Sequence, residues 1–207
     1  MTIEEIYQIP ADILGWRQCP SGAWVSIGQG VKIGREVTFG HWMRFGDYVE
    51  VGDYVEFGRG VMLGEATEVG DGAIFCDWVI VGAGTKVGAG GWLGPSVTLG
   101  NNVTLGKNVK LGAGVRLHDM VRVGDDMTWM ESPLQIQGSK HLVYVCDRSL
   151  IGIGCICQTA EWWNEHYADV GRRKHYSEGQ VKEYRKWLDI AIEWQAALPK
   201  DCLLYTS

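Results

Sequence analysis

The chain has 207 residues, 25 acidic against 19 basic, and a net charge of -6, which argues against general nucleic-acid binding. Its length permits one compact domain or two small ones, and a change of rhythm near Pro133 points to two. With no long apolar run and no basic-then-apolar leader, it reads as a cytoplasmic, soluble protein without membrane partners. Six cysteines are scattered without a paired framework and are expected to be reduced.

Residues 1–23, including Ile13, Leu14 and Trp16, are expected to form an amino-terminal cap over the first repeat. From Ile27 to Trp129 every sixth residue is apolar, and at 15 of those 18 positions the next residue is Gly, the exceptions being Cys76, His118 and Met130. A smaller apolar residue, usually Val, stands two positions earlier, as at Val31, Val49 and Val103. Each hexamer over 24–131 therefore reads as a short strand with two inward residues, then a turn needing positive φ at Gly30, Gly60, Gly72, Gly84, Gly90, Asn102, Asn108 and Gly114.

This pattern resembles the hexapeptide-repeat family. The resemblance implies a mainly β fold, a left-handed parallel β-helix of about six coils with three hexamers per coil. Eighteen residues per coil stack Phe39, Phe57, Phe75, Leu93, Leu111 and Trp129 in one inward column, in a prism about 29 Å long.

Outward positions carry the functional clues. Nine acids face two bases, Arg44 and Arg59, between residues 36 and 77, and the sign reverses between 83 and 122, which would draw an anionic ligand toward the latter half. Met62 with Ile80, and Ile74 with Trp92, form two apolar strips on different faces, as suits a heterologous contact closing into a homotrimer. The resemblance implies the same assembly. Trp24, Trp42 and Trp78 share a corner column and are expected to line clefts between subunits or to pad them.

Over 132–199 the period changes to a small β-β-α-α domain. Leu142–Cys146 and Leu150–Cys157 read as strands, 161–170 as a helix ended by Gly171, and Ser177 with Gln180 as a capping box for a helix running to Pro199. The runs Gly154-Cys155, Thr159-Ala160-Glu161-Trp162, Tyr176-Ser177 and Glu183-Tyr184 resemble a carboxyl-terminal domain of phage and prophage proteins, which implies a host cytoplasm as the setting. Arg172 and Arg173 open the one dense basic run. Residues 200–207 read as a tail, and 202–207 resemble a translated sequencing adapter rather than a domain.

The hexapeptide resemblance implies an acyltransferase using acetyl-CoA, with a His as general base in the cleft between subunits; His41 and His118 are the candidates, and Asp119 is placed to orient the latter. The repeat carries no excursion loop to shape an acceptor pocket, and the two His are too far apart to share a zinc ion within one chain. The leading expectation is therefore a non-catalytic trimer without cofactor that holds a small anionic or nucleotide-like ligand, such as a host signalling molecule. Trp42, Arg44, Trp78, Trp92, Arg116, Arg122, Arg172 and Arg173 would bind it. The alternatives are the acetyl-CoA-dependent acyltransferase and a structural or virion component.

Overall fold

In the computed structural model, which describes residues 3–12 and 15–198, each hexamer supplies one short strand whose apolar residues turn inward and whose middle residue faces out. The chain falls into two compact units, residues up to Met120 with Gly124–Ser132, and Val121–Val123 with the chain from Pro133. The first is a parallel β-solenoid of about six turns, of the left-handed β-helix type.

Three parallel sheets form its faces. The first face stacks Trp24–Ile27, Met43–Phe45, Met62–Leu63, Ile80–Val81, Thr98–Leu99 and Arg116–Leu117. The second runs from Lys32–Ile33 to Arg122–Val123, and the third from Glu56–Phe57 to Thr128–Trp129, with Thr38 bridging to Glu56. The register advances by eighteen residues per step, as in Val51 opposite Ile33 and Val69. The expected aromatic column is present: the ring of Phe57 lies 6.4 Å from Phe39 and 5.0 Å from Phe75, and Phe45 adds a ring at 5.4 Å. Two buried hydroxyls interrupt the Val column; Thr67 donates to the Gly64 carbonyl at 2.8 Å and Thr85 to that of Gly100 at 2.9 Å.

The regular glycine after each inward residue serves space rather than conformation. A Cβ on Gly40 would stand 2.2 Å from the carbonyl oxygen of Gly58 on the next coil. Positive φ occurs two residues later, at all eight expected positions, and also where the side chain works against it: at Trp42, Tyr48, Tyr54, Ala66, Trp78 and Met120.

Between these positions runs a ladder of carboxylates that in sequence resemble plain surface charge. Asp47, Asp53, Asp71, Asp77, Asp119 and Asp125 each accept a backbone N–H from the coil before, at 2.7–2.8 Å, and Asn101 does the same for Ala83. Because an amide oxygen fills this role at Asn101, Asp71→Asn should leave thermal stability nearly unchanged, whereas Asp71→Ala should cost about 1 kcal/mol. The backbone N–H and guanidinium of Arg35 hold the Asp53 carboxyl below the usual carboxylate range. Its contribution is thus present above that range and is lost as pH falls through the lowered value.

At the amino-terminal end Trp16–Gln18 pairs antiparallel with Trp24–Ile27, and helix α1 spans Ile3–Gln8. Ile13, Leu14, Pro199 and the adapter-like tail lie outside the described residues.

The second unit differs from the expected two strands. Gly154, at φ 59°, and Cys155 split the expected strand into a hairpin, Leu150–Ile153 with Ile156–Thr159, and Gln135–Gln137 joins Leu142–Val145 to give four antiparallel strands. Helix α2, Ala160–Arg173, is capped by the Thr159 hydroxyl and runs through Gly171, where a Cβ would meet Val181 at 3.1 Å. Gly171 is thus a point of close helix packing rather than a stop. The Ser177–Gln180 capping box opens helix α3, Glu178–Ala196, which buries Tyr184, Leu188 and Ala191. The Trp163 indole donates to the Ile151 carbonyl at 2.7 Å, fixing α2 to the sheet.

Candidate functional site

The edge between the third and first faces concentrates side chains that can bind and react. The fifth residue of each hexamer there is His41, then Arg59, then Asp77, one coil apart at about 4.8 Å per step. The next position reads Trp24, Trp42, Gly60, Trp78. The backbone locks this column: Gly60 N–H donates to the His41 carbonyl at 2.8 Å and Trp78 N–H to that of Arg59 at 2.7 Å. Asp77 Oδ1 accepts the Arg59 N–H at 2.7 Å, which fixes the turn from which the guanidinium projects. No carboxylate pairs with Arg59 among the described residues.

The rings form a near-continuous strip. Trp42 stacks on Trp24 at 5.8 Å with planes 5° apart and meets Trp16 edge-on, while Trp78 lies over Gly60, where a Cβ would be 2.3 Å from the indole. Both Trp42, at φ 62°, and Trp78, at φ 63°, hold a left-handed backbone that disfavours any side chain by about 1–2 kcal/mol. They nonetheless leave about half of each residue in solvent, 50% and 55%.

Apolar strips flank the edge on both sides. Met62 and Ile80 are neighbours on the first face, Ile74 and Trp92 on the third, in the columns expected for them. Because Cys76 to Val79 turns directly from Ile74–Phe75 into Ile80–Val81, Trp78 sits on the ridge between the strips.

The other candidates are dispersed. Arg44 and Arg116 share the outward column of the first face but stand four coils apart, about 19 Å. Arg122 is on the second face and groups with the carboxyl-terminal unit. Arg172 is engaged by Asp169, and Arg173 lines a cavity of about 340 Å³ with Ile156, Trp162, Val170 and Lys174. His118 lies on another edge, and both oxygens of its neighbour Asp119 are taken by Asn101.

Charge separation along the prism is muted by pairing. On the second face Lys32 binds Glu50 at 2.6 Å and Lys86 binds Glu68 at 2.7 Å, across an open trough of about 680 Å³. Lys86 is therefore not free for the anion expected in the latter half. Arg59 and Asp77 are not among the sequence candidates, yet a signal for them exists, since 41, 59 and 77 follow the eighteen-residue step that relates the Trp residues beside them.

The class this architecture defines is the left-handed parallel β-helix. Among solved structures the chain is similar to GDP-perosamine N-acetyltransferase from Caulobacter crescentus, in complex with CoA and GDP-perosamine, at 20% identity and TM-score 0.48 over 49% of each chain. It is also similar to AntD, an N-acyltransferase from Bacillus cereus in complex with CoA and an amino-dideoxy sugar nucleotide (16% identity, 58% of this chain and 81% of that one, TM-score 0.36). A third is UDP-N-acetylglucosamine O-acyltransferase from Moraxella catarrhalis (14% identity, 86% and 79%, TM-score 0.29). The chain spans about half the length of the perosamine enzyme. No protein-family model matches the sequence, and no curated protein does.

The leading expectation from sequence, a non-catalytic capture protein without cofactor, is corrected: the three solved proteins to which the chain is similar are acyltransferases, two of them with CoA bound. The phage setting and the host signalling molecule find no support among them.

Proposed function

We propose that this chain is a CoA-dependent acyltransferase whose site is the edge carrying His41, Arg59, Trp42 and Trp78. The observation that carries this reading is the placement, on one edge, of an exposed imidazole, a guanidinium without a carboxylate partner among the described residues, and two displayed indoles. These residues suit CoA: indoles offer faces for a heterocycle, and a guanidinium offers paired donors to phosphate oxygens. Bound acetyl-CoA would supply an acyl group activated as a thioester. His41 takes the proton from the acceptor hydroxyl or amine as that group attacks, the role for which imidazole is suited near neutral pH. Asp77 acts indirectly, by fixing the Arg59 backbone. The test is incubation with acetyl-CoA and a panel of amino- and hydroxyl-bearing sugars, with product mass as readout. CoA-dependent acetylation supports the reading, and neither product nor CoA binding would overturn it.

The same reading makes the protein a homotrimer. Three prisms around a threefold axis each present one edge to it and the two adjoining faces to their neighbours, and the apolar strips occupy that edge and those faces. Ile80→Glu, which places a charge in the strip without touching the core, should convert the trimer to monomers in light scattering. An unchanged mass would place the interface elsewhere.

A further inference from the structure

The carboxyl-terminal unit holds a reactive cluster that acyl transfer at His41 does not use. Across its sheet Tyr144 stands opposite Gly152, and Gly152 opposite Cys157. Since Gly152 has no side chain, the Tyr144 ring crosses that position, where a Cβ would lie 2.3 Å from it. The phenol oxygen thereby comes 3.3 Å from Cys157 Sγ. The Cys146 thiol hydrogen-bonds the same sulfur, and the Arg122 guanidinium, which belongs to this unit, adds positive potential. Tyr144 and Cys146 are buried, whereas Cys157 is half-buried.

One sulfur thus faces two donors and a cation, an environment that favours its anion. The hydrogen bond to Cys157, burial and the neighbouring Asp147 push the Cys146 thiol up. The Cys146 hydrogen bond, then the Tyr144 hydroxyl and Arg122, hold the Cys157 thiol below the ordinary thiol range against the opposing effect of burial. Burial and the hydrogen bond to Cys157 push Tyr144 up.

We propose that Cys157 is a nucleophilic thiolate and a site of oxidation by hydroperoxides. The sulfur anion attacks one peroxide oxygen, an S–O bond forms as the O–O bond breaks, and the departing hydroxide (or alkoxide) takes a proton from water. The sulfur loses two electrons and the peroxide gains them, leaving a sulfenic acid.

Cys155, exposed and two residues away, provides the internal control. The full chain is labelled with iodoacetamide at pH 6, and fragment mass spectra separate the two cysteines. An ordinary thiol is almost wholly protonated there, so after allowing for the weaker nucleophilicity of a more acidic thiolate Cys157 should label about tenfold faster than Cys155. Tyr144→Phe, which keeps the ring, and Cys146→Ala should each reduce that ratio. After hydrogen peroxide, dimedone should add to Cys157. Labelling of Cys155 as fast as Cys157 in the wild-type chain at pH 6, or dimedone on Cys155 and not Cys157, would overturn the proposal without reference to either variant.

Discussion

Replacing Phe57 by alanine should lower the unfolding free energy by about 4 kcal/mol, the range for a buried aromatic removed from a core that cannot close over the gap. The ring is 5% exposed and sits between Phe39 and Phe75 with Phe45 beside it. Collapse is resisted because each coil is held at fixed spacing by its backbone ladder, as in Gly58 N–H to Phe75 O at 2.7 Å. Solenoid coils derive stability from their immediate neighbours, so the lesion should separate the coils before it from those after it, and unfolding should broaden or split. Phe57→Leu, which nearly fills the space, should cost under about 1.5 kcal/mol. Denaturant unfolding monitored by tryptophan fluorescence measures both. A Phe57→Ala loss below about 1 kcal/mol would mean that the column is not the core of the stack.

His41→Ala should reduce acetyl transfer by about 100-fold or more, the usual contribution of a general base. His118→Ala should leave the rate unchanged, since that residue lies on another edge. Arg59→Ala should raise KM for acetyl-CoA more than it lowers kcat, because the guanidinium is assigned to binding rather than proton transfer. Steady-state kinetics on the three variants, each checked for an unaltered melting temperature, distinguishes these roles. Equal losses in His41→Ala and His118→Ala, or none in either, would remove His41 from the mechanism.

The solenoid is legible in the sequence because one physical rule, inward residues at a fixed step, repeats through some hundred residues. Phe39, Phe57 and Phe75 can be assigned to one column before any coordinates. The Asp ladder is not legible, since a carboxylate that accepts an N–H from the coil before reads in sequence like any solvated acid. Gly171 reads as a helix stop because glycine usually marks a helix end, but here it clears space for Val181. The split at Gly154 is hidden by an alternation of apolar residues that continues through the turn. At the site, His41, Trp42 and Trp78 are visible as unusual residues. Arg59 and Asp77 join them only when the eighteen-residue step is applied to edges as well as to the core.

Native mass spectrometry in the presence of CoA is the most direct test of the central claim, that this edge is an acyl-transfer site completed by association of like chains. Wild type should appear as a trimer retaining CoA, and Arg59→Ala should lose CoA with the trimer intact. A monomer without CoA at saturating concentrations, or a trimer whose CoA content is the same in Arg59→Ala, would contradict it.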